Sequence, residues 1–388
     1  MRDVRERSQP SGSRPTVDDV AAVAGVSRAT AARVLGGYGR VSQATRNRVR
    51  AHAEALGYTP NRLAQGMVTG RTQTLGFVSA DMQNPFFGQS MRGFTDVARA
   101  QGYDVVIANS EEEPQLERRA VRTLLERRVD GMLVAPTEFR QARHLEDVVA
   151  SGVPMVLADR SVRGLAADCV LIDNVGAARD AVTYLIERGH ERIGVATTHL
   201  VGPDLVSELD EAALDPWHAP TTVSRAIGYV LALRAAGLPV ESELIANAPY
   251  RRTDAYAAVR ALLALPEPPT AVLAVDDLLT LATFEAVQDS GLRFPGECTV
   301  LGFDDLDWTT IVRPRLTVVA QPAYDIGATA ARRLLARIDG DTSPAQTLLL
   351  DTKLVEREST AARPVPAQRR LQPAGRSRAR TTSGSEQA

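Results

Sequence analysis

From Thr74 to Asp304 the chain alternates short apolar runs with helix-length amphipathic stretches. The runs are TLGFVSA, YDVVIANS, DGMLVAP, VPMVLAD, CVLIDN, RIGVAT, TAVLAVDD and CTVLGFDD. A strand without polar alternation must be covered on both faces, and intervening helices supply that cover in parallel βαβ units. The string LIDNVGAARDAVTYLIERGH restarts the same rhythm partway along. Two open, doubly wound parallel-sheet lobes therefore fit better than one closed barrel.

Residues 16–59 follow a different period and read as helices. Thr16 is placed to cap a first helix, with Asp19 at the capping-box spacing. Val17, Val20, Ala21 and Ala24 form its apolar stripe, and Gly25 is the natural chain reversal. Ser27 caps a second helix to about Leu35; Ser42 caps a third to about Leu56, ended by Gly57 and Pro60. Residues 1–15 and 361–388 are polar, Pro- and Arg-containing tails expected to be disordered.

The net charge of −2 conceals a split. Residues 1–71 carry 12 Arg against 5 acidic residues, and 361–388 carry 6 Arg against 1 Glu, which leaves −14 on the intervening body. A phosphate backbone attracts such a head and repels such a body. The two cysteines, Cys169 and Cys298, are far apart and form no CxxC, so no disulfide or zinc framework is expected and a reducing cytoplasm is the default. No run approaches a membrane span, and MRDVRERSQPSGSRP lacks the apolar core of a secretory signal.

In order, the chain holds VDDVAAVAGVSRATAARVL, LGYTPN, NPFF, DGMLV, GVPMVLADR, IDN, ERGHERIGV, PTAVLAVDD, VLGFDD and PRLTVVAQP. In that combination it resembles the lactose-repressor/galactose-repressor family of bacterial transcriptional regulators, from about Thr16 to Ser359. The resemblance implies an N-terminal all-α helix-turn-helix head over 16–60 and a hinge helix or linker over 61–72. It implies a periplasmic-binding-protein-like α/β sensor and dimerisation domain over 73–360. Within that domain the first lobe is expected at about 73–170 plus 300–322, and the second at about 171–299 plus 323–360.

Carried over by motif, the base-reading positions are Arg28, Ala29 and Arg33, and Ser27 and Thr30 would hold phosphates. Arginine can bond guanine in a bidentate manner, whereas alanine offers a thymine methyl apolar contact. The family usually has a serine and an asparagine where this chain has Ala32 and Gly36, so its operator preference is expected to differ. The hinge would lie in the minor groove through Asn61, Ala64 and Met67, with Met67 at the family's leucine wedge position.

In the sensor the resemblance assigns effector contacts to Phe86, with Phe87 as a second candidate, and to Asp159, Arg225, Tyr250, Asp276, Asp304 and Gln321. Asp277 is read instead as the cap of the following helix. Carboxylates and an arginine over an aromatic floor suit vicinal hydroxyls, so a sugar or glycoside is the leading effector class. The 37 residues between His190 and Gly228 exceed the spacing in the purine-sensing branch of the family, and Ala219 stands where that branch has a purine-recognising arginine. The acidic insert over about 199–219, with Trp217 and His218, reads as a solvated excursion, with a lid as the alternative. His199 and His218 show no metal-ligand spacing.

The expected partners are thus a pseudo-palindromic double-stranded operator, a small-molecule effector, and a second copy in a homodimer or higher oligomer, without membrane, metal or cofactor. The expected role is a ligand-released repressor in the bacterial cytoplasm, associated with the nucleoid. Two rivals were weighed. An extracytoplasmic sugar-binding protein has no use for the basic head and needs a signal peptide. An enzyme would call for a phosphate loop, a GxSxG elbow or a metal cluster, and none appears.

Overall fold

The computed structural model describes residues 15–59, 70–202 and 204–363. The head is three helices, α1 (Val17–Ala24), α2 (Arg28–Gly36) and α3 (Gln43–Ala55). Val20, Ala21 and Ala24 of α1 pack with Ala31, Val34, Val49 and Ala53 in one small core. The α1 stripe read from the sequence is thus the buried face, with Val17 partly buried beside it.

In the first lobe the strands are β1 (Thr74–Ser79), β2 (Asp104–Asn109), β3 (Gly131–Val134), β4 (Met155–Ala158), β5 (Asp168–Leu171) and β11 (Thr347–Leu349). Their order is β11-β5-β4-β3-β1-β2, and every pairing is parallel. Helices α4 (Pro85–Ala100) and α13 (Ala323–Ile338) close one face, where Leu75, Phe77, Phe94, Ile326 and Leu334 meet. Helices α5 (Pro114–Glu126) and α6 (Arg143–Ala150) close the other over Val78, Met132, Val134 and Leu157. Burial on both faces explains why β1, β3 and β4 read as unbroken apolar runs.

Helices α4 and α13 cross at a pair of glycines. A Cβ on Gly93 would sit 2.0 Å from the Tyr324 carbonyl oxygen, and one on Gly327 would sit 1.7 Å from that of Ser90. Each glycine is the contact surface for the other helix's backbone, so no side chain fits at either position.

The second lobe repeats the plan with β6 (Ile193–Thr197), β7 (Ile245–Asn247), β8 (Ala271–Ala274), β9 (Thr299–Phe303), β10 (Thr317–Ala320) and β12 (Lys353–Val355). The order is β12-β10-β9-β8-β6-β7, parallel except for the antiparallel edge pair β10–β12. Its helices are α7 (Asn174–Glu187), α8 (Leu205–Ala212), α10 (Arg252–Leu263), α11 (Asp277–Gln288) and α12 (Asp307–Ile311). To these it adds most of α9 (Thr221–Ala235).

The two-lobe parallel plan matches the expectation, but its partition is corrected. The first lobe holds residues up to Asp173, then Leu214–Ser224 and Gln321–Thr352; the second holds Asn174–Ala213, Arg225–Ala320 and the chain from Lys353. Residues 300–320 thus belong to the second lobe because β9 pairs with β8 and β10 with β9. Residues 323–352 belong to the first because α13 fits α4 and β11 pairs with β5. The insert is corrected as well. It is not one solvated excursion, since Leu214–Ser224 groups with the first lobe and α8 with the second.

Candidate functional site

The head is held by short-range capping. The Thr16 amide donates to Asp19 Oδ2 at 2.8 Å and the Asp19 amide to Thr16 Oγ1 at 3.4 Å, a closed capping box. Those bonds hold the Asp19 carboxyl below the usual carboxylate range. Gly25 takes φ +62°, and its amide closes α1 on the Ala21 and Ala22 carbonyls. Two residues later Ser27 caps α2, accepting from the Thr30 amide at 3.2 Å, with the two hydroxyls 2.9 Å apart.

Burying Ala31 and Val34 turns the rest of α2 outward, so Arg28, Ala29 and Arg33 are all exposed. Arg28 Nε lies 3.4 Å from Asp18 Oδ1, a solvent-exposed pair worth about 0–1 kcal/mol, weak enough for DNA to replace. Two arginines flanking a methyl on the first turns of a capped helix can read base edges in a major groove. The hinge positions Asn61, Ala64 and Met67 lie outside the described residues.

Ligands of open α/β sheets bind beyond the carboxyl ends of the strands. At that edge of the first lobe, Asp159 follows β4 at φ +68° and is buried. Its neighbour Arg160 laces three loops together. The guanidinium donates to Glu112 at 2.5 and 2.6 Å, to Asp159 at 3.2 Å and to the Pro136 carbonyl at 3.4 Å. Burial opposes its charge, but Glu112 and Asp159 outweigh that and raise its pKa. Phe86 and Phe87 meet edge to face at 5.2 Å, and both rings belong to the lobe core. Their helix is capped by Asn84, which accepts from the Phe86 amide at 2.8 Å. Gln321 follows β10 and is half-buried.

The second lobe gathers most of the charge. Arg225 is buried; its Nε donates to Asn174 Oδ1 at 2.8 Å and its Nη1 to the Val275 carbonyl at 2.7 Å. Its guanidinium carbon lies 4.3 Å from the Phe303 ring centroid. Asp276 takes an extended backbone and accepts from the Leu279 amide at 2.9 Å, so the cap of α11 is Asp276 rather than Asp277. The correction is one of register, since Asp277 is already the first helical residue. Burial pushes the Asp276 carboxyl up to about 7, with Asp277 and Asp304 adding repulsion and the Leu279 amide and Arg225 opposing it. Asp304 is buried at φ +71° directly after β9. Tyr250 stacks on His199, with centroids 6.4 Å apart and planes at 27°.

Arg225 and Asp304 thus both act on the Asp276 charge, with Arg225 lying over the buried Phe303 ring, while Tyr250 pairs with an insert residue. Asn174, Phe303 and Arg160 were not singled out from the sequence, and His199 was weighed only as a metal ligand. The first two were visible as the last letter of IDN and the aromatic of VLGFDD. The set can donate to and accept from adjacent hydroxyls. Among the described residues, no group of three or more His, Cys, Asp or Glu could hold a metal.

Residues 16–61 match the family model of bacterial regulatory proteins of the lacI family, and residues 72–358 match that of periplasmic binding proteins and the sugar-binding domain of the LacI family. The chain is similar to the HTH-type transcriptional repressor CytR of Escherichia coli (strain K12). They are 34% identical over 349 residues, covering 90% of this chain and 97% of CytR. It is 33% identical to the transcriptional regulator CelR in its cellobiose complex, covering 89% of this chain and 100% of that one, with a TM-score of 0.63. The lac repressor dimer bound to operator and an anti-inducer shares the fold at a TM-score of 0.76 and 24% identity, over 90% of this chain and 100% of that one. The chain therefore belongs to the LacI family of bacterial regulatory proteins, as a helix-turn-helix DNA-binding transcription regulator and not an enzyme.

Proposed function

We propose that this regulator is a repressor released from a pseudo-palindromic operator by a sugar or glycoside. Arg28, Ala29 and Arg33 read bases, with Ser27 and Thr30 on phosphates. Two copies pair so that two heads engage two half-sites, and Asn61, Ala64 and Met67 enter the minor groove between them. The protein works in the bacterial cytoplasm, on the nucleoid. The effector is held by Phe86, Asp159, Arg225, Tyr250, Asp276, Asp304 and Gln321. It acts by binding unequally to the DNA-competent and DNA-released states.

The observation that carries the effector class is the Arg225–Asp276–Asp304 charge cluster, with Arg225 braced on the buried Phe303 ring. Two carboxylates accept from vicinal hydroxyls, and the guanidinium donates in a fixed direction. The similarity to CelR, solved with cellobiose, favours the same class. The test is a thermal-shift screen of sugars, nucleosides and small organic acids. A sugar should stabilise the native protein and fail to stabilise Arg225→Ala and Asp304→Ala. A best ligand without vicinal hydroxyls, or a shift that survives both substitutions, overturns the assignment.

A further inference from the structure

The loop after α2 holds three glycines around one tyrosine, Gly36, Gly37, Tyr38 and Gly39. It folds back on the last turn of the helix. The Gly37 amide donates to the Val34 carbonyl at 3.3 Å and the Tyr38 amide to the Arg33 carbonyl at 3.1 Å. Gly36, where the family usually has asparagine, leaves room for the Tyr38 ring: a Cβ there would meet Tyr38 Cε1 at 2.4 Å.

That turn brings Gly39 against the Arg33 side chain. A Cβ on Gly39 would lie 3.2 Å from Arg33 Cδ, 3.5 Å from Cγ and 3.9 Å from Nε. Three successive atoms of the Arg33 stem thus run along the bare face of Gly39. Beyond the stem, the guanidinium makes no hydrogen bond or ion pair among the described residues, whereas Arg28 is tied to Asp18. A long exposed side chain has many rotamers open to it, and contact along its stem removes some of them. Gly37 supplies the internal comparison. Its backbone stands at φ +75° and that of Gly39 at φ +74°, yet a Cβ on Gly37 would meet nothing within 4 Å. The two glycines share a left-handed backbone and differ in the Arg33 contact.

We propose that Gly39 is a positioning residue for base reading: its bare α-carbon sets the course of the Arg33 stem and so the base pair that the guanidinium meets. A side chain at position 39 would push the stem aside by a few tenths of an ångström or turn it into another rotamer. A bidentate bond needs both guanidinium nitrogens in reach of one base edge, so it is sensitive to that shift. Because the Arg33 stem is flexible, the displacement costs direction more than stability. The inference rests on the reading of Arg33 as a base contact and adds the residue that aims it.

In the full-length protein the probe is a pseudo-palindromic duplex selected by native protein from a randomised pool. Symmetric single-base-pair changes in it are then read by anisotropy, each giving a penalty relative to the selected duplex. Arg33→Ala marks the base pair whose penalty depends on Arg33, and Arg28→Ala marks its own. Gly39→Ala should cut the Arg33-dependent penalty by about fivefold or more, since a bidentate contact confers roughly 5- to 150-fold discrimination. It should leave the Arg28-dependent penalty within about twofold of native. Gly39→Asn, which tolerates a left-handed backbone, should do the same with less strain. Gly37→Ala bears the strain without the contact and should leave both penalties within about twofold of native. In an Arg33→Ala background, Gly39→Ala should weaken operator binding no more than Gly37→Ala does. If Gly39→Ala and Gly39→Asn keep the Arg33-dependent penalty, or lower every penalty alike, the positioning assignment falls alone. If Arg33→Ala removes the penalty at no base pair, the base-reading role of Arg33 and the positioning assignment fall together.

Discussion

Replacing Asp276 by asparagine should stabilise this protein at neutral pH while removing an effector contact. The native carboxyl is buried, and its pKa stands at about 7 against an ordinary 3.8. A carboxyl raised in the folded state prefers its protonated form there. Its favourable contribution is complete below the unfolded value and is lost as pH rises toward and through 7. At about 1.4 kcal/mol per pH unit, the loss reaches about 2 kcal/mol at pH 5 and about 4 kcal/mol at pH 7.5. Asparagine keeps an oxygen for the Leu279 amide, so the α11 cap survives, and it does not titrate. Constant effects of the substitution cancel when the two pH values are compared, and the attraction to Arg225 is already part of what sets the carboxyl's pKa. The stability difference between Asp276→Asn and native protein should therefore grow by about 2–3 kcal/mol from about pH 5 to about pH 7.5. Urea unfolding of effector-free protein at both pH values measures it. Parallel profiles, or a difference that shrinks toward pH 7.5, would refute the claim that burial outweighs the Arg225 and Leu279 contacts.

Arg33→Ala should cost about 1–3 kcal/mol of operator affinity, read by anisotropy, and should relax discrimination at one base pair in each half-site. A uniform loss on all sequences would make Arg33 a phosphate contact. Met67→Gly should weaken operator binding far more than non-specific binding, and an equal loss of both would remove the wedge role. Gly327→Ala should destabilise the first lobe by about 3 kcal/mol or more, because its Cβ would fall 1.7 Å from the Ser90 carbonyl oxygen and two backbones would have to part. A near-native melting temperature would mean that α4 and α13 can separate cheaply.

The head was legible because its determinants are local. Thr16, Asp19, Gly25, Ser27 and Ser42 act on amides and carbonyls within a few residues, so spacing alone locates the helix ends. Strands β1, β3, β4, β5, β6, β8 and β9 were legible because both of their faces are buried, whereas the short, exposed edge strands β11 and β12 carry no such run. Sheet membership was not, since whether β9 belongs with β8 or α13 with α4 depends on pairing between distant segments. Arg160 escaped notice for the same reason, as its partner Glu112 lies 48 positions away. With Asp276 and Asp277 adjacent, the capping residue depended on which one keeps an extended backbone. The stretch Leu214–Ser224 carries no periodicity at all, and what ties it to the first lobe is the Ser161 bond to the Trp217 carbonyl and the Arg163–Asp215 ion pair.

Coupling between the head and the sensor is what would make such a regulator respond to its ligand. Its most direct measurement is a fluorescence-anisotropy titration of the full-length protein on a pseudo-palindromic duplex, with and without the sugar that stabilises native protein but not Arg225→Ala. Binding should be sequence-selective and salt-sensitive and should weaken when that sugar is present, whereas Arg225→Ala binding should be unchanged by the sugar. Operator affinity that the sugar does not alter in native protein, or that it raises, would contradict it.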